Sequence, residues 1–359
     1  MSSDLTIAFT CVGRRVQLVR HFRRACLDAG ITCTIIGLDS EPARASAAYY
    51  CDQVIAVPPG NHAGFPQVIL QVVSECGVGL LIPLADTDLH PLAEIRQDVA
   101  ELECLPACCG PKTIQITRDK LSTYHWLRGL GLGTPHTQTL AEALQARPRL
   151  PAFVKPRHGS AGKNTLLLDS WQLQDWMLAR ADTFVVQEML DGQEFTVDAF
   201  IDPARRVHSV IPRIRLEVRG GEVVKSLIRM DPEIIRQATH VAASLPDAFG
   251  VINIQGFLRP NGQISWTEVN ARFGGGSPLS IEAGARFHQW LVELALGRQP
   301  DYAVSITDGM TMLRFDDAVY LDGTSAARIG LDMQGPVSRI HPAAVPPRDL
   351  TGGAGAAGA

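Results

Sequence analysis

The chain has 359 residues, enough for two or three domains around a substantial core. Its formal net charge of −4 argues against a nucleic-acid partner or an anionic membrane surface, and no apolar run approaches the ~18 residues of a membrane span. MSSD places an acid where a secretory leader needs a cation, and the apolar run that follows soon meets Arg14 and Arg15, so a cytoplasmic protein is expected.

All eight cysteines fall in the first 109 residues, which sets that third apart. None forms a C-x-x-C pair, and Cys104, Cys108 and Cys109 lack a convincing fourth zinc ligand, so reduced thiols are expected. Up to residue 110 the pattern alternates: strands at 5–11, 32–38, 53–56 and 79–83, helices at 14–29, 65–76 and through 90–99. Repeated βα units imply a parallel sheet with helices on its faces. The layout is Rossmann-like, but Cys11-Val-Gly-Arg-Arg lacks G-x-G-x-x-G, so dinucleotide binding is poorly supported. At the strand ends, Gly13-Arg14-Arg15 either holds a carboxylate or is an exposed basic helix start. Asp86 and Asp88 either meet a substrate ammonium or cap a helix.

A helix is expected over 112–130, with Leu121, Tyr124 and Leu127 on one side and Gly131 after it. It contains Arg118-Asp119-Lys120, which a charged helix face explains equally well. A strand at 152–155 then delivers Lys155 into Pro-Arg-His-Gly-Ser-Ala-Gly-Lys. Gly159, Ser160, Gly162 and Lys163 suit a loop that folds over phosphates, since glycines expose N–H donors and lysines supply point charges. It is not a Walker A loop, because Asn164 stands where Ser or Thr is required. Further on come a strand at 183–189, the acid Glu194, and a hairpin of strands 195–201 and 207–212. Arg213 to Ser226 is a run of alternating charge: a solvated strand, or a loop where Arg215 or Lys225 meets a phosphate or an acceptor. A helix at 232–243 follows.

Strands at 251–258 and 263–269 are joined by Arg259-Pro260-Asn261-Gly262, whose Asn-Gly pair readily adopts positive φ. Glu268 and Asn270 are two apart and share a face; the hairpin can bring Gln255 beside them. A carboxylate and two amides offer only oxygen, the set that a hard cation such as Mg²⁺ prefers, and leave room for water and substrate phosphates. That points to a nucleotide, against the alternative of a hairpin that merely faces solvent. Arg272 and three glycines follow, then a helix at 279–296.

Gln255, Glu268, Asn270 and Arg272, preceded in order by the two lysines and the glycine-rich loop, resemble the ATP-grasp superfamily over about residues 112–297, and specifically its carbamoyl phosphate synthetase large-subunit branch. The resemblance implies a mixed α/β and α+β chain: an ATP-grasp fold behind a Rossmann-like domain at 1–110. A small lid unit at 111–186 and a large metal-bearing unit at 187–300 would follow. Beyond residue 297 the chain departs from that pattern, and within 301–359 the residues themselves suggest appended strands at 310–320 and 326–340 and a disordered Gly/Ala tail at 352–359. It implies ATP with Mg²⁺ (or Mn²⁺) as cofactors. Lys120 and Lys155 would reach the phosphates, Gly159, Ser160 and Gly162 form the lid, Gln187, Glu188 and Leu190 meet adenine through the backbone, and Glu194 takes the ribose hydroxyls. Gln255, Glu268 and Asn270 would hold the metal. Catalysis would fall to Arg272, with the Gly274–Gly276 N–H groups on the substrate carboxylate, to Lys163, and to Arg215.

After Arg272 the chain has Phe-Gly-Gly-Gly-Ser-Pro instead of the arginine-bearing bicarbonate segment of the synthetase, and it shows no internal repeat. The expected reaction is therefore amide formation between a small-molecule carboxylate and an amine, both amino-acid-like, through an acylphosphate. Bicarbonate activation and a nucleotide-binding regulator without turnover are the rivals. Neither nucleic acid nor membrane is expected as a partner, and a homodimer is left open.

Overall fold

The computed structural model describes residues 4–159, 162 and 164–320, and the backbone of 339–340. Ser160, Lys163, the tail at 352–359 and most of the strand expected at 326–340 lie outside the described residues.

The N-terminal sheet contains β1 (Asp4–Thr10), β2 (Thr32–Asp39), β3 (Gln53–Ala56), β4 (Leu80–Pro83) and β5 (Leu105–Pro106) in the order β3-β2-β1-β4-β5, all parallel. Arg339–Ile340 adds an antiparallel pair on the β3 edge. Both faces of β1 are covered, as parallel strands require. Ile7 and Phe9 pack against Val19 and Phe22 of α1 (Val16–Asp28), and Ala8 packs with Phe65 and Ile69 of α2 (Phe65–Cys76). The helix expected through 90–99 is two, α3 (Asp86–Glu94) and α4 (Arg96–Glu101), separated at Ile95. Strand order reverses between β1 and β4, and in such sheets ligands gather beyond the carboxyl ends at that switch point. Those ends deliver Cys11 to Arg15 and Leu84 to Asp86.

The expected helix at 112–130 is also broken, into α5 (Pro111–Arg118) and α6 (Lys120–Gly129). Asp119 between them is extended (φ −105°, ψ 116°), and its carboxylate accepts from Leu121 N at 3.0 Å and Ser122 Oγ at 3.2 Å. Arg157 pairs with the same carboxylate at 2.5 Å, and Lys120 N donates to the Arg157 carbonyl at 3.1 Å. The N-cap restarts the helix and seats Lys120 under the loop that follows the next sheet's central strand.

That second sheet is antiparallel, with β6 (Thr137–Thr139), α7 (Leu140–Ala146), β7 (Ala152–Pro156), β8 (Leu166–Leu168), α8 (Asp175–Leu178) and β9 (Phe184–Glu188) in chain order and strand order β6-β9-β7-β8. Leu140, Val154, Met177 and Phe184 form its core.

The third sheet carries β10 (Gln193–Ile201), β11 (Val207–Arg219), β12 (Glu222–Ile228), β13 (Gly250–Leu258), β14 (Ile264–Asn270) and β15 (Thr311–Leu313), in the order β14-β13-β10-β11-β12-β15. Ile234, Ala238 and Val241 of α9 (Pro232–Ala243) cover one face, against Phe195, Val197, Ile252, Ile254 and Trp266. Alternation sends Glu194, Thr196 and Asp198 of β10, and Asn253 and Gln255 of β13, to the opposite face. In β14 a bulge intervenes: Gly256 pairs with Trp266 but Gln255 with Glu268, leaving Thr267 extra. A bulge shifts which face each later residue takes, so Trp266 points into the core while Glu268 and Asn270 face away from it.

The helix expected at 279–296 is α10 (Ser277–Glu282) and α11 (Phe287–Ala295), parted at Gly284, whose φ of +118° suits only glycine. Phe287 and Trp290 of α11 pack on Phe200 and share a core with Val19 and Phe22 of α1, joining the third sheet to the N-terminal domain. Of the strand expected at 310–320 only Thr311–Leu313 forms. No helix among the described residues is long and apolar enough to cross a membrane.

Candidate active site

Two cavities meet at the polar face of the third sheet. The first, about 310 Å³, lies between that sheet and the β1/β4 switch point; the second, about 290 Å³, lies between the same sheet and the β7 strand with its loop. Arg215, Gly221, Gln255 and Glu268 border both.

The expected metal residues come together at this common wall. Gln255 stands opposite Glu268 in the β13–β14 ladder, and Asn270, two pairs further on, stands opposite Asn253. Arg215 Nη1 donates to Gln255 Oε1 at 3.3 Å, and Lys120 Nζ lies 3.6 Å from Glu268 Oε1. Among the described residues no group of three His, Cys, Asp or Glu side chains could hold a metal alone. The donors are a single carboxylate and amide oxygens, which fits a hard divalent ion that draws its remaining ligands from water and phosphate.

The second cavity gathers the expected nucleotide residues. Lys120, Lys155, Gly159 and Gly162 border one side, and Gln187, Glu188, Leu190 and Glu194 another. Lys120 Nζ donates to the Gly159 carbonyl at 2.9 Å. Burial holds the Lys155 ammonium below the ordinary lysine range, with Lys120 adding to the effect and Glu268 opposing it. Glu194 is pushed up by burial, against the Arg215 guanidinium 3.1 Å away. The Gln187 backbone is held in ladders to β6 and β7, and its side chain donates to Thr137 Oγ1 at 2.8 Å. The strand leaves those ladders after Glu188, so the chain edge that can turn toward a base begins at Met189 and Leu190.

Arg272 borders the first cavity, but its fork is engaged: Nε donates to Asp86 Oδ1 at 2.9 Å, Nη2 pairs with Asp86 Oδ2, and Nη1 donates to the Phe273 carbonyl at 3.0 Å. Asp86 does not cap its helix, since Ala85 is the N-cap and no side chain caps it. Asp88 is buried, accepting from Thr10 and Thr87 hydroxyls at 2.7 and 2.9 Å. Asp198, fully buried, accepts from Arg213 at 2.8 and 3.0 Å, from Asn253 at 2.8 Å and from Ser280 at 2.7 Å.

Sequence reasoning missed Thr196, Arg213, Glu222 and Asn253, all of which border the first cavity. Counting by twos from Gln255 and Glu194 would have found Asn253 and Thr196. Gly275 and Gly276 press against Glu222 with Arg15 and against Arg213, so a side chain at either position would collide. Cys11 borders the first cavity with φ +50°, and burial, aided by Asp88 and Asp39, pushes its thiol up to about 12. Cys104, Cys108 and Cys109 are buried, each also pushed up to about 12 by burial.

Two cavities divided by one oxygen-donor wall, one of them against the β7 strand and the other against the N-terminal domain, fit an ATP-grasp arrangement. Residues 117–276 match the ATP-grasp domain model, and residues 7–107 match the PylC-like N-terminal domain. A carbamoyl-phosphate synthase from Methanobrevibacter smithii is 25% identical over 154 residues, covering 41% of this chain and 40% of that protein, so the chain spans well under half of this curated relative. Among solved structures, biotin carboxylase from Campylobacter jejuni aligns with TM-score 0.65 and 14% identity over 84% of this chain and 73% of its own. N5-carboxyaminoimidazole synthetase from Staphylococcus aureus, complexed with ADP, aligns with TM-score 0.65 and 16% identity, over 85% and 81%. L-amino acid ligase from Bacillus licheniformis gives TM-score 0.62 and 19% identity over 82% and 75%. The chain thus carries an ATP-grasp domain behind a PylC-like N-terminal domain. ATP-grasp family members are ATP-dependent ligases.

Proposed function

We propose that the protein joins a small-molecule carboxylate to an amine, forming an amide with release of ADP and phosphate. The observation that carries this reading is the common wall, with one cavity on either side of Gln255 and Glu268. Lys120 and Lys155 hold the phosphates, Glu194 the ribose hydroxyls, and the chain edge at Met189 and Leu190 the base. Lys163 and Ser160 are assigned to the closing loop on their sequence position alone. Gln255, Glu268 and Asn270 hold magnesium (or manganese), which when bound neutralises charge on the phosphoryl oxygens. Arg215 borders both cavities and guides the reacting groups together. Because Arg272 is held by Asp86, it acts with the Gly274–Gly276 backbone in shaping the carboxylate seat.

The substrate carboxylate oxygen attacks the γ-phosphorus, the bond to the β-phosphate oxygen breaks, and ADP leaves. The amine then attacks the acyl carbon of the acylphosphate, phosphate departs with the bonding pair, and the ammonium proton passes to solvent. Catalysis rests on positioning and charge neutralisation. A screen of carboxylate and amine pairs for ADP release, with bicarbonate among the acceptors and hydroxylamine trapping the acylphosphate as a hydroxamate, tests the reading. Glu268→Gln should lower turnover by at least ~10²-fold. ADP release unaffected by that change, or absent with every pair, would sink the proposal.

A further inference from the structure

We propose that the substrate activated in the first cavity carries a second anionic group, a carboxylate or a phosphate, and that this group is seated on Arg14, Arg15 and Arg314 beside Glu222. The inference rests on the ligase reading of the same cavity. Glu222, at the start of β12, is approached by guanidiniums from separate stretches of chain: Arg15 at 3.5 Å, Arg14 at 3.9 Å and Arg314 at 3.8 Å. Charge-assisted hydrogen bonds run at about 2.7–2.9 Å, so one carboxylate is shared loosely among three cations. The site's other arginines are matched one to one, Arg272 with Asp86, Arg213 with Asp198 and Arg215 with Glu194.

Three guanidiniums against one carboxylate leave an excess of two positive charges. Arg15 and Arg314 keep only 21% and 26% side-chain exposure. Partly buried charge that lacks a full set of partners is costly. Burial holds both guanidiniums below the ordinary arginine range; Glu222 opposes this, while neighbouring cations add to it. A bound anion removes that cost.

The placement suits a long substrate. Arg14, Arg15, Glu222 and Gly275 border the first cavity and also a further cavity of about 540 Å³, which continues it past Arg314. Arg314 donates to the Gly275 carbonyl, and the absent side chain at Gly275 leaves Glu222 and Arg15 their room. The Ser277 hydroxyl borders the further cavity, is 1% exposed as a residue, and has no partner in the structure. It can donate to an anion oxygen. A substrate with its reacting carboxylate at the Glu268 wall thus reaches this cluster with its other end.

The test titrates succinate, inorganic phosphate and acetate into the full-length protein by calorimetry. Succinate and phosphate should bind at least tenfold tighter than acetate, and Arg314→Met should weaken both at least tenfold, with Arg314→Lys recovering part. Circular dichroism and MgATP binding report folding, and Arg14→Met, at an exposed position, supplies a second variant that the fold tolerates. In the ADP-release assay, a carboxylate bearing a second carboxylate or a phosphate should show a KM at least tenfold below its monoanionic analogue; which of the two is lower identifies the group. Equal binding of acetate, or anion binding unchanged in folded Arg314→Met, overturns the proposal. ADP release without preference for a second anion also overturns it but leaves the ligase reading intact, whereas anion binding without ADP release from any substrate defeats the ligase reading alone.

Discussion

Trp266 and Glu268 are both even-numbered residues of one strand, yet Trp266 is fully buried against α9 while Glu268 borders both cavities. The extra residue Thr267, whose hydroxyl donates to the Gln255 carbonyl at 3.2 Å, separates them. Deleting Thr267 should therefore heal the bulge and make Trp266 and Glu268 neighbours, which regular alternation keeps on opposite faces, so both stay where they are and the fold survives. An unfolding free energy within about 1 kcal/mol of the parent, with MgATP-dependent activity retained, checks it; loss of both would show that the bulge itself sets the geometry.

The proposed metal site has one carboxylate, so divalent-ion binding should depend on nucleotide. Mn²⁺ titrated without nucleotide, followed by electron paramagnetic resonance, should bind weakly, and a non-hydrolysable ATP analogue should tighten it by at least tenfold. Gln255→Glu adds a second acid at the wall and should strengthen nucleotide-free Mn²⁺ binding several-fold. Equal Mn²⁺ affinity with and without nucleotide would contradict the assignment.

Lys155 gives a paired pH prediction. Its folded pKa is lowered, chiefly by burial, while the unfolded chain keeps the ordinary value. Between the two values the unfolded state binds more protons, so the stability of the nucleotide-free protein rises with pH across that window. MgATP affinity should fall over the same window as the cation is lost. Lys155→Met should flatten both trends, stabilise the free protein by about 1 kcal/mol and weaken MgATP binding at least ~10²-fold.

His288, buried between α1 and α11, is pushed down to about 3 by burial, with His21 and Arg286 adding to it; the acid facing this cluster is Glu282, 2.8 Å from His21. The unfolded chain protonates this imidazole near its ordinary value, so it opposes folding only on acidification. Stability should be complete above about pH 6.5 and fall by up to about 1.4 kcal/mol per pH unit below it from this group. His288→Phe should remove that slope in urea titrations between pH 4 and 7.

Asp198 and Arg213 form a buried pair with Asn253 and Ser280 completing the carboxylate's partners. Asp198→Ala leaves the guanidinium uncompensated and should cost about 3–5 kcal/mol in denaturant unfolding. A loss under about 1 kcal/mol would show that the arginine finds water instead.

Much of this was legible locally. The period-two pattern gave the β13–β14 hairpin, and with it the face that Glu268 and Asn270 share with Gln255. What escaped was whatever depends on residues far apart in the chain. Asp86 and Arg272 are 186 positions apart, and nothing near either announces the pairing. Glu222 and Arg314 likewise meet only because β15 adds to the edge of β12. The break at Asp119 did carry a local signal, an Asp two residues before Leu121, but the apolar spacing through 112–130 outweighed it until Arg157 supplied the second partner.

Among the described residues, the groups that touch both chambers, Arg215, Gly221, Gln255 and Glu268, hang on the third sheet and its β11–β12 turn. On the proposed reading the junction between the two chambers is fixed on one plate, while the rim that meets the substrate's far end is assembled from N-terminal loops, at Arg14 and Arg15, and from the chain around β12 and β15, at Glu222 and Arg314. A change of substrate would then call for rewriting that rim, with the shared wall inherited untouched.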